Sequence, residues 1–258
     1  MEDSDEVGPE LNEVSWWSNW TEAVWLDNNA YLLFSKDYPE YFFNRGGFLK
    51  VTNRAADIVG AMEVEFKKRN LAPNIFVQSE SLDSRLLRVF AKKGYRIADQ
   101  MSVMELETAS FKANTKLVLE TVSDGTLEQW ATVYLKAFYG DTKIIDVVLK
   151  TLGRVSGNKD AALVLATLGG KAAGCLALFR SQGVLGVYCV GTVPDMRREH
   201  VASTMLDLAS KIASKENRKL VLQTILSDSV EPLYLKLGFR RLYLKELFAG
   251  ETAGKLKS

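Results

Sequence analysis

From residue 116 onward the apolar positions alternate, then change period, and each change marks a new element. Residues 116–122 alternate apolar and polar side chains, as a strand with one buried face does. Leu127, Trp130, Ala131, Tyr134, Leu135 and Phe138 then recur at helical spacing, with Ser123 or Asp124 placed to cap the helix. A second helix is predicted over 142–152. Two apolar runs, 161–168 and 172–180, flank Gly169-Gly170-Lys171, a turn suited to a hairpin. The pattern continues with a strand at 184–193, a helix at 199–217, a strand at 219–225 and a helix at 230–237. Gly238 reads as a helix C-cap, and a last strand runs over 240–248. The order β-α-α-β-β-β-α-β-α-β predicts an α/β chain of the mixed α+β kind, with a mixed sheet flanked by helices.

The first 115 residues repeat part of this plan. Leu86-Leu87-Arg88-Val89-Phe90-Ala91-Lys92-Lys93-Gly94-Tyr95 mirrors Glu231-Pro232-Leu233-Tyr234-Leu235-Lys236-Leu237-Gly238-Phe239. Each stretch follows a short apolar strand ending in Gln, at Gln78 and Gln223, and each precedes another apolar strand, 101–106 in the first copy. The first copy has Phe90 where the second has Tyr234, so it lacks the hydroxyl. Two domains are therefore expected, 1–115 and 116–258, the first a worn copy of the second. Trp16, Trp17, Trp20 and Trp25 stand at near-helical spacing and are assigned to packing. The tail from Gly250 is read as disordered.

The stretch from Val190 to Leu206 carries the clearest chemistry. A strand passes through a short loop holding Pro194 directly into a helix. Such a junction aims free backbone N–H groups and the positive end of a helix dipole at one spot, which suits a phosphate or pyrophosphate. Arg197 and Arg198 stand at its mouth, and small Ala202 and Ser203 leave room against the first turn. About thirty residues later comes Tyr234-Leu235-Lys236-Leu237-Gly238-Phe239. Together the two signals point to a phosphorylated acyl carrier.

The block V-x-x-x-P-x-x-R-x-x-x-V-A followed by L-Y-x-K-L-G-F resembles the GCN5-related N-acetyltransferases, over roughly residues 118–248. In that family a strand and Pro lead to R/Q-x-x-G-x-G/A at a helix N-terminus, with a later Tyr four residues before Gly-Phe. Arg197, His200 and Ala202 fall on the R/Q, first Gly and G/A positions. The chain departs from the pattern in three places. His200 replaces a glycine, Ser227 stands where the family commonly has Asn, and 220–225 carries no carboxylate to act as a base.

The resemblance implies two acyl-CoA N-acyltransferase-like halves, of which only the second binds acetyl-CoA as cosubstrate. It implies that the pantetheine arm pairs with backbone groups of Val190, Gly191 and Thr192 between splayed strands. The pyrophosphate would rest on the N–H groups of Arg198, Glu199, His200, Val201, Ala202 and Ser203, aided by the charges of Arg197 and Arg198, with Ser227 at the family's Asn position. Tyr234 would protonate the departing thiolate as a primary amine of a small molecule or peptide attacks the thioester directly in a ternary complex. The alternative is a catalytically inactive CoA-binding sensor or protein-interaction module, of which His200 and the missing base would be the marks.

Composition narrows the partners. Of 258 residues, 47% are hydrophobic and 25% charged, ample for a packed core. A net charge of +1 argues against nucleic acid or a membrane surface as partner. No apolar run reaches the roughly 20 residues a bilayer span needs, and the acidic start lacks a signal peptide's features. Two cysteines, Cys175 and Cys189, make no disulfide framework, Cys189 being read as a buried strand residue, and one histidine disfavours a metal site. A cytoplasmic, metal-free monomer or homodimer is expected.

Overall fold

The computed structural model describes residues 4–251, so the tail beyond 251 and the first three residues lie outside it. In chain order the elements are α1 (Ser4–Trp17), β1 (Glu22–Asp27), β2 (Ala30–Phe34), β3 (Arg45–Phe48), α2 (Ala55–Lys68), β4 (Asn74–Gln78), α3 (Ser84–Lys92) and β5 (Arg96–Leu106). Then come β6 (Leu117–Thr121), α4 (Leu127–Phe138), α5 (Ile145–Ser156), β7 (Ala161–Leu168), β8 (Lys171–Ser181) and β9 (Val184–Thr192). The chain ends with α6 (Val201–Lys215), β10 (Lys219–Ile225), α7 (Glu231–Lys236) and β11 (Phe239–Ala249). Every element predicted from residue 116 onward is present, α5 shifted three or four residues toward the C-terminus. No helix among the described residues is long and apolar enough to cross a membrane.

Packing divides the chain into two compact units that are not continuous segments. The first holds the chain up to Val103 together with Thr224–Glu231 and the residues from Arg241 on; the second holds Met104–Gln223 and Pro232–Arg240. This differs from a single cut after residue 115, and the reason is strand pairing. β11 runs antiparallel to β4 from Lys245↔Gln78 to Ala249↔Asn74, and Gly250 N donates to Pro73 O (2.8 Å), so the C-terminal strand is built into the first unit.

The first unit has the strand order β1-β2-β3-β4-β11-β5. Val59, Met62 and Phe66 of α2 and Phe90 of α3 pack against Leu32, Ile75, Val77 and Phe248. On α1 and just after it, Trp16, Trp17 and Trp20 are buried with their rings about 6 Å apart, as expected of core residues. Trp25 is not: it is 46% exposed on β1, its ring tilted against that of Tyr31 (6.0 Å). The second unit has the order β10-β9-β8-β7-β6, with α4 and α6 packed on β8 and β9. Trp130 of α4 is fully buried and donates from Nε1 to Leu176 O (3.2 Å).

The internal repeat is present in the element order. β3-α2-β4-α3-β5 and β9-α6-β10-α7-β11 follow the same sequence, and β3/β4 and β9/β10 are both parallel pairs. The two copies differ where their first long helix begins. At α2, Ala55 N donates to Thr52 O, Arg54 N meets Thr52 Oγ1 (3.3 Å), and Asp57 stands in the first turn. Its N-cap residue, Arg54, makes no side-chain cap, so the first-turn acid Asp57 is what sets this start apart. α6 has no side-chain cap and no acidic residue in its first turn.

Candidate functional site

The parallel pairing of β9 with β10 runs from Val184↔Lys219 to Val187↔Leu222 and stops there, although β9 continues to Thr192. On its other side β9 stays paired with β8 as far as Thr192↔Gly174. Between Tyr188 and Gly191 the register against β8 slips by one residue, and Cys189 takes a left-handed φ of 53°. An extra residue of this kind bends and twists the strand that carries it. β9 thus leaves β10 with one edge unpaired, a template for an extended ligand.

Alternation along that edge sorts the predicted backbone groups. Val193 N donates to Ala173 O (3.0 Å), so Thr192 turns its N–H group to the open side, while Val190 lies within the slip itself. Gly191 turns toward β8 instead. Its missing side chain has a separate cause: a Cβ there would lie 2.9 Å from Ala137 Cβ and Cys175 Sγ and 3.1 Å from Phe138 Cε2. Only glycine lets the C-terminal end of α4 close on the strand, where Phe138 remains half exposed.

Beyond β9 a single turn of 3-10 helix, Pro194–Met196, leads to Arg197. Arg198 (φ 72°) and His200 (φ 56°) are both left-handed, and α6 begins at the next residue. The N–H groups of its first turn have no acceptors within the helix, so the positive end of a 15-residue helix is left uncapped beside two exposed arginines. Glu199 and His200 are exposed as well; Val201 is buried and Ala202 half-buried. The structure thus brings together Val190, Thr192 and residues 197–202.

His200 therefore stands where the backbone itself favours glycine. A left-handed conformation costs a non-glycine residue about 1–2 kcal/mol, offset in part by the greater freedom glycine loses on folding. His200→Gly is expected to raise stability by about 0.5–1 kcal/mol, read as an increased urea midpoint at unchanged slope. A lower midpoint would mean that the histidine side chain makes a compensating contact.

Ser203 does not belong with the exposed groups. Its buried hydroxyl accepts from Lys112 N (2.9 Å), and the neighbouring Thr204 hydroxyl accepts from Asn114 N (2.9 Å) while donating to His200 O (2.8 Å). Both side chains are engaged by residues 112–114, so only the backbone of Ser203 is left for the cradle. Tyr234 sits on α7 in the same unit, buried, with its ring edge-on to Phe239 (5.9 Å between centroids). Cys175 Sγ donates to Cys189 O (3.3 Å), and burial pushes both thiols above their ordinary range, which fits inert strand cysteines.

Ser227 lies in the first unit, where its hydroxyl donates to Asp99 Oδ2. Asp228 beside it titrates above the usual carboxylate range, first because of burial and then because of the Asp99 charge. Tyr41 is raised by burial and by the same two carboxylates. The sequence gives one hint of this group, an aspartate three residues past the end of β10. That Asp99 would meet it has no local signal, because the two are 128 residues or more apart.

No family model matches the chain, and no curated protein does. Solved structures match it over nearly its whole length. A GCN5-related N-acetyltransferase from Kribbella flavida aligns with a TM-score of 0.67 at 14% identity, covering 95% of this chain and 96% of that one. The fold is that of the GCN5-related N-acetyltransferases. Such an enzyme from Sphaerobacter thermophilus aligns at 0.65, with 15% identity over 91% of this chain and 84% of that one. A tandem GNAT protein from the clavulanic acid biosynthesis pathway aligns at 0.59, with 14% identity over 88% and 79%. Within that fold, the parted strands and the start of α6 form the candidate site of this chain.

Proposed function

We propose that the second unit binds acetyl-CoA and that the protein transfers the acetyl group to a primary amine of a small molecule or peptide. The observation that carries this reading is the parting of β9 from β10 next to a helix start with no cap of its own. An open strand edge and an uncapped helix N-terminus are what an amide-bearing arm joined to a pyrophosphate requires. The edge groups of Val190 and Thr192 would pair with the arm. The N–H groups of Val201, Ala202 and Ser203, with the guanidinium groups of Arg197 and Arg198, would hold the diphosphate by charge-assisted hydrogen bonds.

The thioester supplies a carbonyl that a neutral amine attacks, so that a C–N bond replaces the C–S bond. Tyr234 then gives its phenolic proton to the leaving sulfur, and the proton lost by the amine goes to water. A phenol with free pKa about 10 and a thiol with free pKa about 8.5 are close enough for that exchange.

Calorimetric titration of the full chain with acetyl-CoA, CoA and 3′-dephospho-CoA tests the binding step. Saturable one-to-one binding is expected. No heat up to about 1 mM, an affinity of only about 4 kcal/mol, would sink the assignment. Binding with no thiol release across an amine panel would leave a CoA-binding sensor in place of an enzyme.

A further inference from the structure

We propose that residues 107–116 form a positioning strap for the cofactor cradle, joining the helix that carries Tyr234 to the start of α6. The proposal rests on the acetyl-CoA reading of this site.

The strap is tied at both ends and lies within the second unit. At its start, Glu107 N and Thr108 N both donate to Gly238 O (3.0 and 3.2 Å), and Ser110 N donates to Leu237 O (3.1 Å). Arg240 adds an ion pair to Glu107 (3.5 Å). Gly238, with φ 95°, is the residue that makes the crossing fit: a Cβ there would lie 1.7 Å from Thr108 O. These anchors sit three to six residues beyond Tyr234.

At the far end the strap grips the first turn of α6. Lys112 N donates to Ser203 Oγ, Asn114 N to Thr204 Oγ1, and Asn114 Nδ2 to Glu199 O (3.0 Å). Asn114 is itself fixed, since its Oδ1 accepts from Lys116 N (3.0 Å). Thr204 passes the restraint on by donating to His200 O, the residue in the left-handed conformation. The hydroxyls of Ser203 and Thr204 thus work as anchors for the strap, and through them it sets the direction of the N–H groups that would face the diphosphate. Pre-fixed donors bind more tightly than donors that must be ordered on binding.

The test compares Thr204→Val, which keeps the shape and loses the hydroxyl, with Thr204→Ser, which keeps the hydroxyl. Asn114→Ala removes the strap's side-chain tie to Glu199 O and leaves its two backbone ties to Ser203 and Thr204 in place. The expected result is a CoA Kd raised about tenfold in Thr204→Val and Asn114→Ala, and Thr204→Ser binding as the parent does. Melting temperatures should change by only a few degrees. If Thr204→Val does not fold, Asn114→Ala decides. Parent-like Kd in a folded Asn114→Ala, or a lowered melting temperature with Kd unchanged, would overturn the strap. A parent protein that binds no CoA at all would instead remove the functional reading beneath it.

Discussion

Lys245→Met is expected to remove about 3–5 kcal/mol of stability. Lys245 is fully buried on β11, and its Nζ meets carboxylates of both Glu10 (3.1 Å) and Glu13 on α1. Glu13 is shared with Arg45 of β3 (2.7 Å), and Tyr243 donates its hydroxyl to Glu10 (2.9 Å). All four charged side chains are at most 2% exposed, and their charges sum to zero. Burial alone would lower the lysine pKa, but the paired carboxylates outweigh it and hold Lys245 above its ordinary range. Burial raises Glu10, whereas Lys245 and Arg45 hold Glu13 down against the same burial. Removing the lysine leaves two buried carboxylates and one arginine, and a buried charge without its partner is what makes such pairs costly to break. Adding Glu10→Met to Lys245→Met should recover much of the loss, because one cation and one carboxylate then remain. Urea unfolding of the single and double variants checks both statements. A single-variant loss below about 1 kcal/mol would show that water enters the network.

That network also marks what the sequence does not disclose. Glu10 and Glu13 look like the wet side of a short helix, and Lys245 like the outward position of a terminal strand. They become interior only because β11 returns to pair with β4, a contact between residues more than 160 positions apart. Pairing at that range leaves no periodicity to read, which is why a cut after residue 115 is the natural sequence division and the packed units follow another line. Local patterns serve better. The strand-to-helix junction at 190–206 is readable because Pro194, two arginines and small residues at the helix start constrain the backbone within one stretch. The glycine position at His200 comes from the family pattern, and the backbone there is left-handed. Ser203 shows the limit of that kind of reading. Its position in the first turn suggests a ligand contact, and only the crossing of 107–116, ninety residues upstream, turns its hydroxyl to another task.

Tyr234→Phe is expected to lower kcat by about 10²–10⁴-fold while leaving the Kd for acetyl-CoA within about twofold of the parent. The substitution deletes the phenolic oxygen and keeps the ring. The ring packs edge-on against Phe239 on a helix whose C-terminal end is held by the strap, and phenylalanine preserves that packing. The chain carries its own precedent. In the first copy the matching position is Phe90, stacked on Phe248 at 4.0 Å and edge-on to Tyr95 at 5.1 Å, so the equivalent helix there carries a phenylalanine. A large drop in kcat with binding intact would therefore report a lost proton donor and not a damaged site. The thiolate would then have to leave without general-acid help, and acyl donors with more acidic thiols should suffer less from the substitution than acetyl-CoA does. Single-turnover rates with both kinds of donor measure this directly. Equal kcat in the two proteins would remove Tyr234 from the chemistry and leave it as a core aromatic. Equal losses with every donor would mean that the hydroxyl orders the site without giving up its proton.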